Sequence, residues 1–295
     1  MERKTVTMRK FWYFTAFCLV IIGVAGALTY DWKSKENLPE FEKQWSFSAS
    51  ELRNLEIVSD YNVAVTFTKS EDGRNSIRLN GQGTEKMIEN TKATEIADGK
   101  LKLDLTRMPK KYINFFDFDF GSAKEQLVIS VTDASLLDSL RIKLDSGNIT
   151  VTDAALETIS EAKLTTDSGN ITLTRFKSEK LIVGVDSGNI TGNEVAADIK
   201  ASTDSGNIKL DKVTGPTRLS VDSGNIRLTK QDNASSDLST DSGNVYVQVP
   251  ASFAGSYDLR TDSGSVHAPE SKRTTMDYIK IRTDSGNIRV EEGPQ

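Results

Sequence analysis

The sequence has very little of the two residue types that most often carry redox or nucleophilic chemistry. It contains one cysteine, Cys18, so no disulfide can form within the chain, and one histidine, His267. No Walker motif, clustered metal-ligand pattern or long basic patch is present, and the net charge of −5 disfavours nucleic-acid binding. The 37% hydrophobic content is enough for a sizeable core in 295 residues, so we expect one or two folded domains.

One long uncharged run, FWYFTAFCLVIIGVAGALTY, occupies residues 11–30. Its twenty residues at ~1.5 Å each match a hydrocarbon core of ~30 Å, which predicts a transmembrane helix. Residues 1–10 carry a net charge of +3, so the positive-inside rule places them in the cytoplasm. We therefore expect a single-pass cell-membrane protein with a stalk at 31–44 and a domain at 45–295 outside.

A cleaved signal peptide is the alternative interpretation of the same run. Ala25-Gly26-Ala27 fits the small-residue pattern that precedes a cleavage site, so residues 1–27 would be removed. The apolar run is longer than the ~7–15 residues of a usual signal sequence, which favours the anchor. Both interpretations predict export.

The dominant feature is the stretch DSGNI, which occurs eight times with at most two substitutions. The intervals between its aspartates are 22, 19, 18, 18, 19, 21 and 22 residues, a period typical of repeat architectures. Every unit has the pattern strand, turn, strand. The predicted turn residues are Asp145, Gly147, Asn148, Asp167, Gly169, Asn170, Asp186, Gly188, Asn189, Asp204, Gly206, Asn207, Asp222, Gly224, Asn225, Asp241, Gly243, Asn244, Asp262, Gly264, Asp284, Gly286 and Asn287.

Two architectures accommodate these turns: a meander of two-residue hairpins, and a β-solenoid in which the turns are stacked corners. Hairpins tolerate several turn sequences, whereas stacked corners require like residues over like residues. Repetition of side chains therefore favours an all-β, single-stranded solenoid (β-helix) with about 18–22 residues per coil, preceded by the transmembrane helix. The segment VSDYNVAVTF keeps Asp60, Asn62 and Val63 in register, so we expect the solenoid to begin near Trp45. A short helix within 84–97 and a strand at 100–105 interrupt it.

The tandem strand-turn-strand units carrying D-S-G-N-I resemble the bacterial putative-adhesin family of β-strand repeats, over about residues 45–295. The resemblance implies an extracytoplasmic β-helical domain without an established activity.

Stacked aspartates at ~4.8 Å repel one another by about 1 kcal/mol per pair in water, so something must offset the repulsion. Our prediction is that each carboxylate caps the amides of its own turn, as in an Asx-turn, and faces water. The alternative is Ca²⁺ between the layers, but such a site normally has six to eight oxygen ligands. We expect no metal and no cofactor.

An enzyme is the less favoured hypothesis, because an active site needs one asymmetric set of residues and these repeats are alike. Asp262, Ser263 and His267 could form a Ser-His-Asp set, in the copy where Ser265 replaces asparagine, but no nucleophile elbow is present. A polysaccharide-active or Ca²⁺-dependent β-helix remains the alternative. Paired glycosidase-type carboxylates also stay open, since the repeats do not single out two of them.

The segment KKYINFFDFDFG breaks the repeat. Its aromatic residues could cap the hydrophobic end of the solenoid, or form a lip that contacts a membrane surface or a partner. The residues concerned are Lys110, Lys111, Tyr112, Phe115, Phe116, Phe118 and Phe120.

Together these patterns predict a binding or scaffold module at the bacterial cell envelope. The expected partners are the cytoplasmic membrane through residues 11–30, and envelope proteins or cell-wall glycans.

Overall fold

The fold is built almost entirely from β-strands whose side chains alternate between buried and exposed. The computed structural model describes residues 38–48, 50–71, 73–106, 124–132, 136–154 and 158–293. In chain order the elements are β1 (Glu40–Phe47), β2 (Asn54–Ser59), β3 (Asn62–Lys69), β4 (Asn75–Gln82), α1 (Glu85–Ala93), β5 (Lys100–Leu105), β6 (Lys124–Val131), β7 (Leu136–Ser146), β8 (Ile149–Thr152), β9 (Thr158–Ser168), β10 (Ile171–Ser187), β11 (Ile190–Ser205), β12 (Ile208–Thr214), β13 (Thr217–Ser223), β14 (Ile226–Lys230), β15 (Ser236–Ser242), β16 (Val245–Val249), β17 (Ser256–Ser263), β18 (Val266–His267), β19 (Tyr278–Ser285) and β20 (Ile288–Glu292).

Each repeat forms one coil with two strand segments, one ending at the Asp-Ser of a turn and one beginning after the following Gly-Asn. Neighbouring coils pair in parallel, so that Ile171 is in register with Ile149 on one side and with Ile190 on the other. β10 and β11 each join the second segment of one coil to the first segment of the next. Because hairpins pair antiparallel, this register excludes the meander and shows the stacked solenoid.

The isoleucine or valine that follows each Gly-Asn explains why the motif has five residues. These side chains point into a shared core, where Ile171, Ile190 and Ile208 are fully buried. The inward positions of the preceding segments, such as Leu164 and Leu219, face the same core. Since each buried aliphatic side chain contributes about 1.5–3 kcal/mol, the repeated apolar positions supply much of the stabilisation of every coil.

At the N-terminal end, the decayed copy of the motif occupies the predicted register. Val63 on β3 pairs with Ile149 on β8, and β5 and β6 form a further coil outside β2 and β3. β4 then pairs antiparallel with β6, and β1 with β4. β1 begins at Glu40, inside the segment predicted as a stalk, because Phe41 and Trp45 alternate into the core.

The predicted short helix is α1, and it covers the same end of the solenoid. The Thr84 hydroxyl accepts the Met87 N–H at 3.4 Å and starts the helix, which buries Met87 and Ile88. The Trp45 Nε1 donates to the Thr94 carbonyl just after the helix at 2.7 Å. The helix and the antiparallel strands therefore protect apolar groups that an open end would expose.

At the C-terminal end the order of coils in space differs from their order in the sequence. β15 and β17 both pair with β19, and β16 and β18 both pair with β20. The coil of Asp284 therefore lies between the coils of Asp241 and Asp262. The Asp262 coil is the terminal layer, and its Val266 is 46% exposed whereas Ile288 beneath it is 1% exposed.

The prediction of a transmembrane helix and a single-pass membrane location is corrected. Within the ranges that the structure describes, no helix is both long and apolar enough to cross a membrane. A span needs about 20 apolar residues, and α1 has nine residues of mixed polarity. Residues 11–30, on which that prediction was placed, lie outside the described ranges.

Candidate functional site

Asparagines of the turns form a continuous hydrogen-bonded ladder along one edge of the solenoid, which we call the turn edge. In each step the Oδ1 of one asparagine accepts both the backbone N–H and the Nδ2–H of the asparagine in the next coil, as between Asn189 and Asn207 at 3.0 and 3.1 Å. The same two bonds join every successive pair. In spatial order the ladder contains Asn62, Asn148, Asn170, Asn189, Asn207, Asn225, Asn244 and Asn287.

Ser265 ends the ladder, and its place in the fold explains the one divergent copy of the motif. Its N–H and its hydroxyl both donate to Asn287 Oδ1, at 3.0 and 2.7 Å. No coil stacks beyond this one among the described residues, so an asparagine carbonyl here would have no ladder donor to accept.

Close stacking also accounts for the glycines. Gly206 has a φ of +150°, and a Cβ added there would lie 1.9 Å from the Gly188 carbonyl oxygen. The Gly206 N–H donates instead to the Ser223 carbonyl of the next coil at 3.1 Å. A side chain at this position would therefore separate the coils.

The aspartates of the motif do not cap their turns, which corrects the sequence-based expectation. In the described part of the chain, the motif carboxylates from Asp145 to Asp284 accept no hydrogen bond and form no ion pair; they are exposed along the turn edge. The asparagines supply the acceptors instead, because their amides can both donate and accept between coils. No group of three or more metal-ligating side chains is present in the described ranges.

At the opposite end of the strand segments that follow the turns, the corners carry compensated charges. Asp153, Arg175, Glu194 and Lys212 all have positive φ angles of 49–61° and occupy equivalent places in successive coils. Arg175 Nε lies 2.5 Å from Asp153 and Lys212 Nζ lies 2.8 Å from Glu194. The pKa of Asp153 is lowered, chiefly by the hydrogen bond from Arg175. These corners thus neutralise their own charge, whereas the turn edge does not.

The outward side of the segments that follow the turns forms the hydroxyl face. It has two columns of side chains in register, one through Thr150, Thr172 and Thr191, the other through Thr152 and Thr174. Thr152 donates to the hydroxyl of Thr66 in the adjacent coil at 3.1 Å. The columns present regularly spaced donors and acceptors on a flat surface.

Further along the hydroxyl face lies a cluster around one aromatic ring. Arg227 lies over the Tyr246 ring, 4.7 Å from its centroid, and the Tyr246 hydroxyl donates to Glu291 at 2.7 Å. Arg289 Nε also donates to Glu291 at 2.7 Å. The pKa of Glu291 is lowered, first by the hydrogen bond from Tyr246 and then by that from Arg289. The phenol ring is thereby held in place beside charged groups.

The outward side of the segments that precede the turns forms the cation face. Four of its cations stand in one column, two strand positions beyond a second column of mostly small side chains. Within the described residues these cations make no ion pair or hydrogen bond, and all are exposed. The cation column comprises Arg141, Lys163, Lys200 and Arg218, with Ile182 between Lys163 and Lys200 and Asp237 after Arg218, and the small column comprises Thr165, Gly184, Ser202, Ser220 and Ser239.

The remaining predicted site residues divide into two groups. Asp262, Ser263 and His267 lie on the terminal coil with exposed side chains, and no hydrogen bond joins them in the part of the chain described. The segment from Lys110 to Phe120 lies outside the described residues. Sequence reasoning did not resolve the strand faces into these columns. The signal for the cation face was the residue type two and four positions before each motif aspartate, and for the hydroxyl face the residue type two and four positions after each motif asparagine.

Comparison with known proteins gives one family match. The family model described as Toastrack DUF4097 matches residues 52–291. No curated protein matches the chain.

Several solved structures are similar to this chain at a low level. A putative cell adhesion protein from Clostridium sporogenes is 10% identical, with 86% of this chain and 100% of that chain covered and a TM-score of 0.32. A putative adhesin from Bacteroides fragilis is 12% identical, with 86% and 97% covered and a TM-score of 0.40. A putative lipid binding protein from Parabacteroides distasonis is 15% identical, with 86% and 97% covered and a TM-score of 0.42. Likeness at this level carries no functional argument.

Proposed function

The chain belongs to the Toastrack DUF4097 family, and we propose that it is a binding module for glycans at the bacterial cell envelope, acting through the hydroxyl face and not by catalysis. The observation that carries the proposal is the pair of in-register columns of hydroxyl groups, one of which continues from Thr191 through Lys209 and Arg227 to Tyr246. Sugar hydroxyls exchange hydrogen bonds with such side chains, and an amphipathic phenol ring packs against the apolar side of a sugar ring.

Repetition supports binding over catalysis. A linear polysaccharide is itself a repeat, so one type of contact can recur from coil to coil, and many weak contacts then act together. Catalysis would need one set of groups with distinct roles, and the compensated ion pairs of these coils leave no such set evident in the described residues.

A role in envelope stress is a finer proposal. A basic N-terminus, an apolar run, a polar stretch and then repeats resemble the layout of LiaG, the membrane-anchored protein encoded with a bacterial cell-envelope stress-response system. We propose an accessory role of that kind, in which binding of wall polymer reports on the state of the envelope.

The test is sedimentation of the purified protein with insoluble cell-wall sacculi, with and without their attached polymers. We expect wild type to co-sediment, and Tyr246→Ala together with Thr172→Ala to lower the bound fraction at least about tenfold, as for loss of a central contact. Ser202→Ala on the cation face is the control and should bind like wild type. Equal binding by the Tyr246 variant, or no sedimentation of wild type, would contradict the proposal.

A further inference from the structure

The cation face and the turn edge form three parallel columns on one surface: cations, small side chains and aspartates. Residues two apart on a strand are separated by about 6.6 Å, so the cation column and the aspartate column lie about 13 Å apart with the small column midway. Lys200, Ser202 and Asp204 show this order within one coil, and Arg218, Ser220 and Asp222 repeat it in the next.

We propose that a second copy of this chain docks on the cation face, related by a two-fold axis that runs along the small column, parallel to the solenoid axis. Rotation by 180° about that line places the cation column of one copy over the aspartate column of the other. Lys163, Lys200 and Arg218 then face Asp167, Asp204 and Asp222 of the second copy. The inference is independent of glycan binding, because it uses the opposite face.

The spacing of the charges argues for a second copy as the occupant. Lys163, Lys200 and Arg218 belong to the same coils as Asp167, Asp204 and Asp222, so these cations and aspartates match layer by layer at the coil spacing of ~4.8 Å, while Ile182 places an apolar side chain opposite Asp186 in the layer between. A polyanion would match the cations only, and it would run beside the row of uncompensated carboxylates on the turn edge. An isologous contact pairs three cations and three aspartates of each copy at once.

The small column fits its position on the axis. A residue on a two-fold axis faces its own copy, so large side chains there would hold the surfaces apart. Gly184, Ser202 and Ser220 allow close approach, whereas Lys143 and Arg282 at the two ends of the column would place like charges against each other. In the Ser239 coil, Asp237 would likewise face Asp241 of the second copy, so the contact is confined to about four coils, from Thr165 to Ser220.

The size of this contact predicts a weak association. Four coils at ~4.8 Å and a width of about 20 Å cover about 400 Å² on each copy, which is below the usual size of specific interfaces. Most of its complementarity is between exposed charges, which salt screens over a Debye length of about 8 Å. We expect a dimer at high concentration and low ionic strength that leaves both hydroxyl faces outward and so makes the assembly divalent.

The test is analytical ultracentrifugation of the protein at 50 and 500 mM salt, on wild type and on two charge-reversed variants. The first variant carries Lys200→Glu and Arg218→Glu, and the second carries Asp204→Lys and Asp222→Lys. Each variant opposes like charges in its own dimer and should be monomeric. Mixing the two restores opposite charges on both sides of the axis and should produce a heterodimer.

Lys209→Glu with Arg227→Glu makes the same change of charge on the hydroxyl face and should leave the wild-type dimer intact. Ser202→Glu provides a further variant, since it places like charges on the axis and should also abolish the dimer.

For wild type, we expect the dissociation constant of the dimer to rise at least about tenfold at the higher salt. A wild-type monomer at low salt and millimolar concentration, a dimer indifferent to the reversals, or reversed variants that do not pair when mixed would each overturn the proposal. Capture of polyphosphate by a wild type that never dimerises would overturn it in favour of a polyanion site.

Discussion

The asparagine ladder should contribute more to stability in its interior than at its end, and Asn207→Ala tests this most directly. Asn207 Oδ1 accepts the N–H and the Nδ2–H of Asn225 at 3.0 and 3.1 Å, and Asn207 Nδ2 donates to Asn189 Oδ1 at 3.1 Å. Alanine removes these three bonds and keeps the two backbone bonds, one from the N–H of residue 207 to Asn189 Oδ1 and one from the Ile190 N–H to the carbonyl of residue 207. At about 0.5–1.5 kcal/mol each, reduced because water reaches the exposed edge, the loss should be about 2 kcal/mol.

Ser265→Ala is the matched comparison, since it removes the single hydroxyl bond to Asn287 and keeps the backbone bond. We expect its cost to be about 0.5–1 kcal/mol. Urea unfolding monitored by circular dichroism gives both free energies, provided that the slope with denaturant is unchanged. If Asn207→Ala costs no more than Ser265→Ala, the ladder does not stabilise the stack and the reasoning is refuted.

Three further changes test other parts of the account. Gly206→Ala should lower the free energy of unfolding by at least about 2 kcal/mol, because its Cβ would lie 1.9 Å from the Gly188 carbonyl oxygen. Gly184→Ala, whose Cβ would have its nearest atom at 3.5 Å, should cost less than about 1 kcal/mol. Similar thermal midpoints for the two variants would contradict this. Burial lowers the pKa of Lys230, although Asp232 opposes the shift. Between the lowered pKa of the folded state and the ordinary lysine pKa, the unfolded chain therefore binds more protons than the folded chain. The free energy of unfolding should rise with pH over that range. Thermal melts from pH 7 to 10 should show this rise in wild type and not in Lys230→Met, and parallel curves would disprove it. Asp222→Asn relieves repulsion of roughly 1 kcal/mol from each neighbouring carboxylate and should raise the midpoint of dilute protein at low salt, with the gain vanishing in 0.5 M salt; a gain that persists would point to a cause other than charge.

Much of the solenoid could be predicted because the same residue types recur in the sequence at intervals of 18–22 residues. The turns, the early register of Asn62, the helix α1 and strand β5 followed from spacing and apolar alternation. The different roles of the aspartates and the asparagines in the turns did not follow from these patterns. Asx-turn reasoning treats one turn alone, whereas the hydrogen bonds of Asn207 run between turns and appear only when coils are stacked.

The order of the coils and the two faces were also beyond sequence reasoning, for a related reason. Identical motifs make every coil an equally good neighbour, so spacing cannot show that β19 lies between β15 and β17. Within the four residues Asp-Ser-Gly-Asn, Ser265 was the one difference between copies, and its structural role depends on its position in the last layer. The faces were hidden because alternation identifies outward residues without showing which of them align across coils 18–22 residues apart.

The inserted coil has a consequence for how the molecule assembles. In a simple solenoid each coil packs on the coil that precedes it in the sequence, so it can pair as soon as it has been synthesised. Here β17 and β18 find no partner until Tyr278–Glu292 has entered between them and the Asp241 coil. When the chain is synthesised from its N-terminus, the coils can therefore stack in order as far as that of Asp241. The strands of the outermost coil stay unpaired until residues 278–292, which come later in the chain, have been added.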